Sequence, residues 1–129
     1  MSPAVVAITL AAGGVATVLR YLVSYTLART SQAESFPWAV LLVNAVGSAL
    51  GGVVLVLAQT SGVSEEVRLI ILTGVCGGLT TFSTFSVETI QLITHERWGA
   101  AILNVGSNLV VGFGACLAGY LAAYLVYAS

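Results

Sequence analysis

The chain has no lysine and no aspartate, and only 7% of its 129 residues are charged. Soluble domains carry about 25%, so a soluble fold is excluded and, with 58% hydrophobic residues, an integral membrane protein is expected. The formal net charge of −1 leaves no basic face for nucleic acid. Cysteine is scarce: Cys76 and Cys116 both fall in apolar segments and read as small buried hydrophobes rather than a disulfide or metal pair. The single histidine, His95, stands beside Glu96 and Arg97 in a short link and reads as solvated surface. With one loop histidine there is no Ser/His/acid set, and no HExxH, CxxC or phosphate-binding glycine loop occurs. The chain is therefore not expected to be an enzyme.

What is abundant is long apolar runs. A helix needs roughly 20 apolar residues to cross a bilayer. Four segments qualify: Pro3 to Ala28, interrupted by Arg20; Phe36 to Ala58; Val67 to Ile93, with Arg68 at its edge and Glu88 inside; and Trp98 to Ala128. The links are short, 29–35, 59–66 and 94–97, so residues 1–129 are expected to form one all-α, four-helix transmembrane domain. The first segment is too long and lacks the basic flank of a cleaved signal peptide. Four spans put both termini on one side. Arg68 lies on that side, against Arg29 and Arg97 on the other, a weak bias that permits insertion in both orientations and hence an antiparallel dimer. Equally, Arg20 near the end of the first helix tips the count toward one orientation.

The costliest run is Gly77-Gly78-Leu79-Thr80-Thr81-Phe82-Ser83-Thr84-Phe85-Ser86-Val87-Glu88, inside the third span. Hydroxyls and a carboxylate need partners away from water, and membrane segments keep them where protein or a wet cavity surrounds them. The run is read as lining a polar path. The double glycine predicts that the helix opens there, and carbonyls freed at mid-membrane suit a cation. At helical spacing Thr81, Thr84, Phe85 and Glu88 share a face. Ring edges of Phe82 and Phe85 are positive; with the hydroxyls of Ser83 and Thr84 they suit a small anion, whereas a cation would meet the negative ring faces, and lipid-facing or core packing is the plain alternative for the pair. Asn44 can donate to an anion or hydrogen-bond between helices. The same two readings stand for Asn104, Ser107 and Asn108. Glu88 is the one acid inside a span and a functional candidate, with a wet vestibule as the alternative. Arg20 either snorkels to the interface or concentrates anions. Small residues Gly13, Gly14, Gly47, Ser48, Gly51, Gly52, Gly106, Gly112, Gly114 and Gly119 suit close helix packing.

These residues resemble the Fluc family of small fluoride channels, also called CrcB proteins. The likeness covers all four spans: Gly13-Gly14 with Arg20-Tyr21, then Val43-Asn44 with Gly47-Ser48, then the long run from Gly77 to Ser86 with Glu88. The resemblance implies an antiparallel, dual-topology homodimer with two pores in the inner (plasma) membrane, passing fluoride passively out of the cytoplasm. It implies that Phe82 and Phe85 present ring edges to the ion, that Asn44 donates nearby, and that Ser83, Thr84 and Glu88 form a polar track. It implies a structural Na⁺ on the dimer axis, held by the carbonyls of Gly77 and Thr80. The chain departs from the family where Gly-Thr before the helix 2 asparagine is Ala39-Val40, and where Tyr and Ser of helix 4 are Asn104 and Asn108. Such changes swap or remove track hydroxyls, or mark one subunit of a heterodimer with a related chain. Rival readings are a proton-coupled exporter of small cations relying on Glu88, and a non-conducting membrane subunit.

Overall fold

The computed structural model describes residues 2–29, 36–60 and 62–128, and every regular element among them is helical. Of the link expected over 29–35, only Arg29 lies among the described residues. Helix α1 spans Pro3–Ala28, with the Ser2 hydroxyl accepting from the Val5 N–H at 3.2 Å and proline at its first position, both sound ways to start a helix. Helix α2 spans Trp38–Gln59. Helix α3, Glu65–Leu69, is capped by Ser64 and carries Glu65 and Glu66 in its first turn, where the helix dipole favours them. It runs into a π-helical stretch, Ile70–Cys76, and then α4, Gly77–Leu79. Helix α5 spans Phe82–Thr94 and α6 spans Trp98–Tyr127.

Four helical stretches are long and apolar enough to cross a membrane: Pro3–Ala28, Trp38–Gln59, Glu65–Thr94 and Trp98–Tyr127. With the short links this is a multi-pass membrane architecture. Gly77 and Gly78, where the sequence places the opening of the helix, are themselves helical; the residues with extended backbone are Thr80 (ψ 157°) and Thr81 (ψ 122°). The turn between α5 and α6 closes with Glu96 in the left-handed region (φ 59°), while Arg97 N–H reaches the Leu92 carbonyl at 2.8 Å and Glu96 N–H the Ile93 carbonyl at 2.9 Å. This pair of bonds satisfies carbonyls that the helix end would orphan.

The most extensive packing joins α2 to α6, and α1 packs on the π-helical stretch and α4. The α2–α6 seam is set by small residues: a Cβ on Gly52 would collide with the Cys116 carbonyl, and one on Gly119 with the Ala49 carbonyl. Bare backbone is what lets helices come this close where no water drives them together. Much of the remaining surface is apolar, including Leu10, Val110 and Phe113, as lipid or further protein requires. Cys76 is buried, Cys116 is half-buried, and both are free thiols.

Candidate ion pathway

The site is organised by the two extended threonines. In an unbroken helix the Thr81 N–H would answer the Gly77 carbonyl and the Thr84 N–H that of Thr80. Instead Thr81 N–H donates to Asn44 Oδ1 at 2.8 Å, and Thr84 N–H donates to Thr81 Oγ1 at 3.1 Å, which makes Thr81 the N-cap of α5. Asn44 Nδ2 donates back to the Thr81 carbonyl at 3.3 Å. The carboxamide thus pairs with the Thr81 peptide on both edges, and the carbonyls of Gly77 and Thr80 lose their usual helical donors. Gly78 is treated differently: its carbonyl accepts from Arg20 Nε at 3.2 Å and, at 3.5 Å, from Thr17 Oγ1. A Cβ on Gly47 would strike the Thr80 side chain, so the glycine makes room for the extended segment.

A ladder of side-chain amides leads away from this point. Asn44 Nδ2 donates to Asn108 Oδ1 at 3.1 Å. Asn108 Nδ2 donates to the carbonyl and Oδ1 of Asn104 at 2.9 and 3.0 Å. Asn104, with no exposed surface, donates to Thr89 Oγ1 at 2.9 Å, and Thr89 donates to the Phe85 carbonyl at 2.8 Å. Burial this complete demands partners for every polar atom, and the ladder supplies them.

Beside the ladder lies a pocket of about 360 Å³ between α2, α5 and α6. Asn44, Ser48, Thr80, Thr81, Phe82 and Phe85 line it from one side, and Asn108, Leu109, Gly112, Phe113 and Cys116 from α6. Phe82 and Phe85 meet edge-on, centroids 5.7 Å apart and planes at 62°, and Phe82 is 78% exposed on this single chain. A second cavity, of about 530 Å³, sits at the far end of α5, lined by Phe36, Pro37, Glu88, Gln91, Leu92, His95 and Arg97. Glu88 Oε1 is buried there with no hydrogen-bond partner among the described residues.

The residues singled out in the sequence therefore fall into groups. Asn44, Thr80, Phe82, Phe85 and Asn108 share the first pocket; Asn104 carries the ladder behind it; Glu88 faces the second cavity. Ser83 Oγ lies 3.4 Å from Thr81 Oγ1, and Thr84 Oγ1 accepts from Thr81 Oγ1 at 3.1 Å. Thr81 does not sit on a helical face with Thr84, Phe85 and Glu88, because it is the cap and not part of the helix. Arg20 lines neither cavity. Two hydroxyls of the run are tied to their own backbone: Thr80 Oγ1 to the Cys76 carbonyl at 2.8 Å and Ser86 Oγ to the Phe82 carbonyl at 2.9 Å, a common local bond for these residues.

A family model described as CrcB-like protein, Camphor Resistance (CrcB) matches residues 7–120. The chain belongs to the CrcB family. Relatives include a protein of Gluconobacter oxydans (strain 621H), 38% identical over 120 residues that cover 90% of this chain and 82% of the relative. One from Shewanella frigidimarina (strain NCIMB 400) is 46% identical over 99 residues, 77% of this chain and 79% of its own. One from Shewanella woodyi (strain ATCC 51908 / MS32) is 44% identical over 97 residues, 75% and 77%. Each of the three is named a fluoride-specific ion channel FluC.

Within this CrcB chain three contributors escape a reading of the sequence. Thr89 carries no signal beyond its spacing of four from Phe85. Phe113 looks like any lipid-facing aromatic until α6 is docked on α2. Thr17 looks like a single hydroxyl on an apolar helix, and only the packing of α1 on α4 brings it to Gly78.

Proposed function

We propose that this chain is a fluoride-selective channel that lets F⁻ leave the cytoplasm passively across the inner membrane, working as an antiparallel, dual-topology dimer with two pores. The observation that carries this reading is the first pocket, where the Asn44 amide, the Ser48 hydroxyl and the crossed rings of Phe82 and Phe85 converge, with Thr80, Thr81 and Asn108 beside them and Leu109, Gly112, Phe113 and Cys116 completing the wall. Fluoride is small and a strong hydrogen-bond acceptor. It sheds most of its water, takes donors from Asn44 and from the hydroxyls of Ser83 and Thr84, and exchanges the rest for ring edges. Several weak sites in series let the ion leave again. Glu88 lies beyond the rings, in the second cavity, as the far end of the track.

Two features support the dimer. Phe82 is too exposed on a single chain to form an enclosed path, and the charge bias of Arg68 against Arg29 and Arg97 is weak. In this arrangement the third span crosses as a broken helix, opened at Thr80 and Thr81. The carbonyls of Gly77 and Thr80, hard oxygen donors without their helical partners, fit a structural Na⁺, whose charge would offset their dipoles. Dimer stability should accordingly be higher in Na⁺ than in a bulky organic cation; equal stability in both counts against the site.

The test is release of fluoride from liposomes reconstituted with this chain alone, voltage clamped by an ionophore, with chloride-loaded vesicles as control. Fast fluoride release without chloride release is expected, and it should be lost when Phe82→Ile and Phe85→Ile are combined. Unchanged flux and selectivity in that double variant would sink the ring role. No release from the unaltered chain, with proton-dependent uptake of a lipophilic cation through Glu88, would replace the channel reading with an exporter. No transport of either kind would leave a non-conducting partner of a related subunit.

A further inference from the structure

The amide ladder has a fixed direction. The Thr81 backbone N–H can only donate, so the atom it meets at 2.8 Å must be Asn44 Oδ1. Asn44 Nδ2 must then face the other way, toward the Thr81 carbonyl at 3.3 Å and Asn108 at 3.1 Å. Asn108 must therefore present Oδ1 to Asn44 and spend both N–H groups on Asn104, on its carbonyl at 2.9 Å and its Oδ1 at 3.0 Å. Asn104 passes the direction on to Thr89 at 2.9 Å. One backbone amide thus orients three side chains that would otherwise be free to flip.

A consequence for the pocket follows. A primary amide has two N–H donors, and both donors of Asn44 are committed. So are both donors of Asn108. The Asn108 Oδ1 accepts the Asn44 donor that a fluoride in the same pocket would need, and both residues line that pocket. An oxygen acceptor already stands where the anion would bind. The Thr81 contact, at 3.3 Å, is the longer of the two Asn44 donations, but it belongs to the two-edged pairing with the Thr81 peptide. The Asn108 contact can be given up alone, because Asn108 stays anchored through Asn104.

The geometry points to Asn108 as a positioning residue that competes with the ion for the Asn44 amide and so sets how tightly the pocket holds fluoride. This rests on the fluoride reading given above. When fluoride arrives, Asn44 transfers one N–H from Asn108 Oδ1 to the ion while its Oδ1 stays on Thr81. When the ion leaves, Asn108 takes the donor back. The Asn44 donors stay paired in both states; with the ion bound it is Asn108 Oδ1 that gives up its donor, so binding is weakened by one hydrogen bond, which suits a path the ion must also leave.

The test compares fluoride efflux from liposomes carrying the unaltered chain or Asn108→Ala, with initial rates measured across internal fluoride concentrations. Alanine removes the competing acceptor and leaves Asn44 paired with Thr81. The fluoride concentration giving half-maximal efflux should fall roughly three- to tenfold, the factor one exchanged hydrogen bond is worth, and the maximal rate should not rise. A purely structural Asn108 would reduce the number of working channels, lowering the maximal rate with half-saturation unchanged; that result, or a raised half-saturation, overturns the proposal. A second measurement needs no variant: side-chain amide signals of the labelled protein, followed by NMR as sodium fluoride or sodium chloride is added. The signals of Asn44 and Asn108 should move together with fluoride and stay still with chloride. Movement of Asn44 alone, or of neither, overturns it. If the unaltered chain passes no fluoride, the channel reading fails; if it passes fluoride and Asn108→Ala leaves half-saturation where it was, only the competition fails.

Discussion

Liposomes carrying Asn44→Ala should release fluoride about 10- to 150-fold more slowly than those carrying the unaltered chain, the range expected for losing one hydrogen bond to a charged partner. The loss has a second component. Asn44 satisfies both the N–H and the carbonyl of Thr81, at 2.8 and 3.3 Å. Alanine strips the Thr81 peptide of both partners, and each orphaned group costs about 1–3 kcal/mol, with no water in the bilayer core to replace it. Thr81→Val provides the comparison. It keeps the peptide pair with Asn44 and removes the cap on the Thr84 N–H, worth about 1 kcal/mol, together with the hydroxyl contacts to Thr84 and Ser83. Asn44→Ala should therefore lower the thermal midpoint more than Thr81→Val, and lower fluoride release even in the fraction that remains folded. Fluoride release at the unaltered rate per folded protein would remove Asn44 from the pathway.

The run lengths of apolar residues made the architecture legible. Segments read as 36–58, 67–93 and 98–128 correspond to helical stretches Trp38–Gln59, Glu65–Thr94 and Trp98–Tyr127, because spanning a bilayer fixes helix length and excludes charge. Local chemistry inside the third span was legible only in part. The double glycine directs attention to residues 77 and 78, yet both stay helical, and the extended residues are threonines. Glycine permits a distortion without requiring one. What requires it here is a carboxamide 37 positions away in sequence, which takes the Thr81 N–H. No local pattern reports such a competitor. The same holds for Arg20, whose place on the Gly78 carbonyl depends on α1 packing against α4. Residue types also mislead about availability: hydroxyls at Thr80 and Ser86 look free in the sequence, and both are spent on their own helix.

The other large effect concerns the seam that brings Asn44 and Asn108 together. Gly119→Ala should yield little or no folded protein. The added methyl would fall on the Ala49 carbonyl, with the Ala49 Cα 3.2 Å away. Gly52→Ala should behave alike, since its methyl would meet the Cys116 carbonyl and, at 2.8 Å, the Tyr120 nitrogen. These obstacles are backbone and cannot rotate aside, so α2 and α6 must separate. Overpacking a well-filled contact costs about 1–3 kcal/mol, occasionally more. Here it also pulls Asn44 from Asn108, which adds the cost of a broken polar ladder. Gly106→Ala and Gly114→Ala are the controls, because among the described residues nothing beyond the helix's own adjacent turns lies within 4 Å of a methyl at either position. Monodisperse yield and thermal midpoint should fall sharply for positions 52 and 119 and stay near the unaltered values for 106 and 114. A wild-type midpoint for Gly119→Ala would show that the helices do not meet this closely. A sharp loss at 106 or 114 would have a different meaning: with no neighbour among the described residues of its own chain, the methyl would point to contact with a second copy, and would put the contact surface of the proposed dimer on α6.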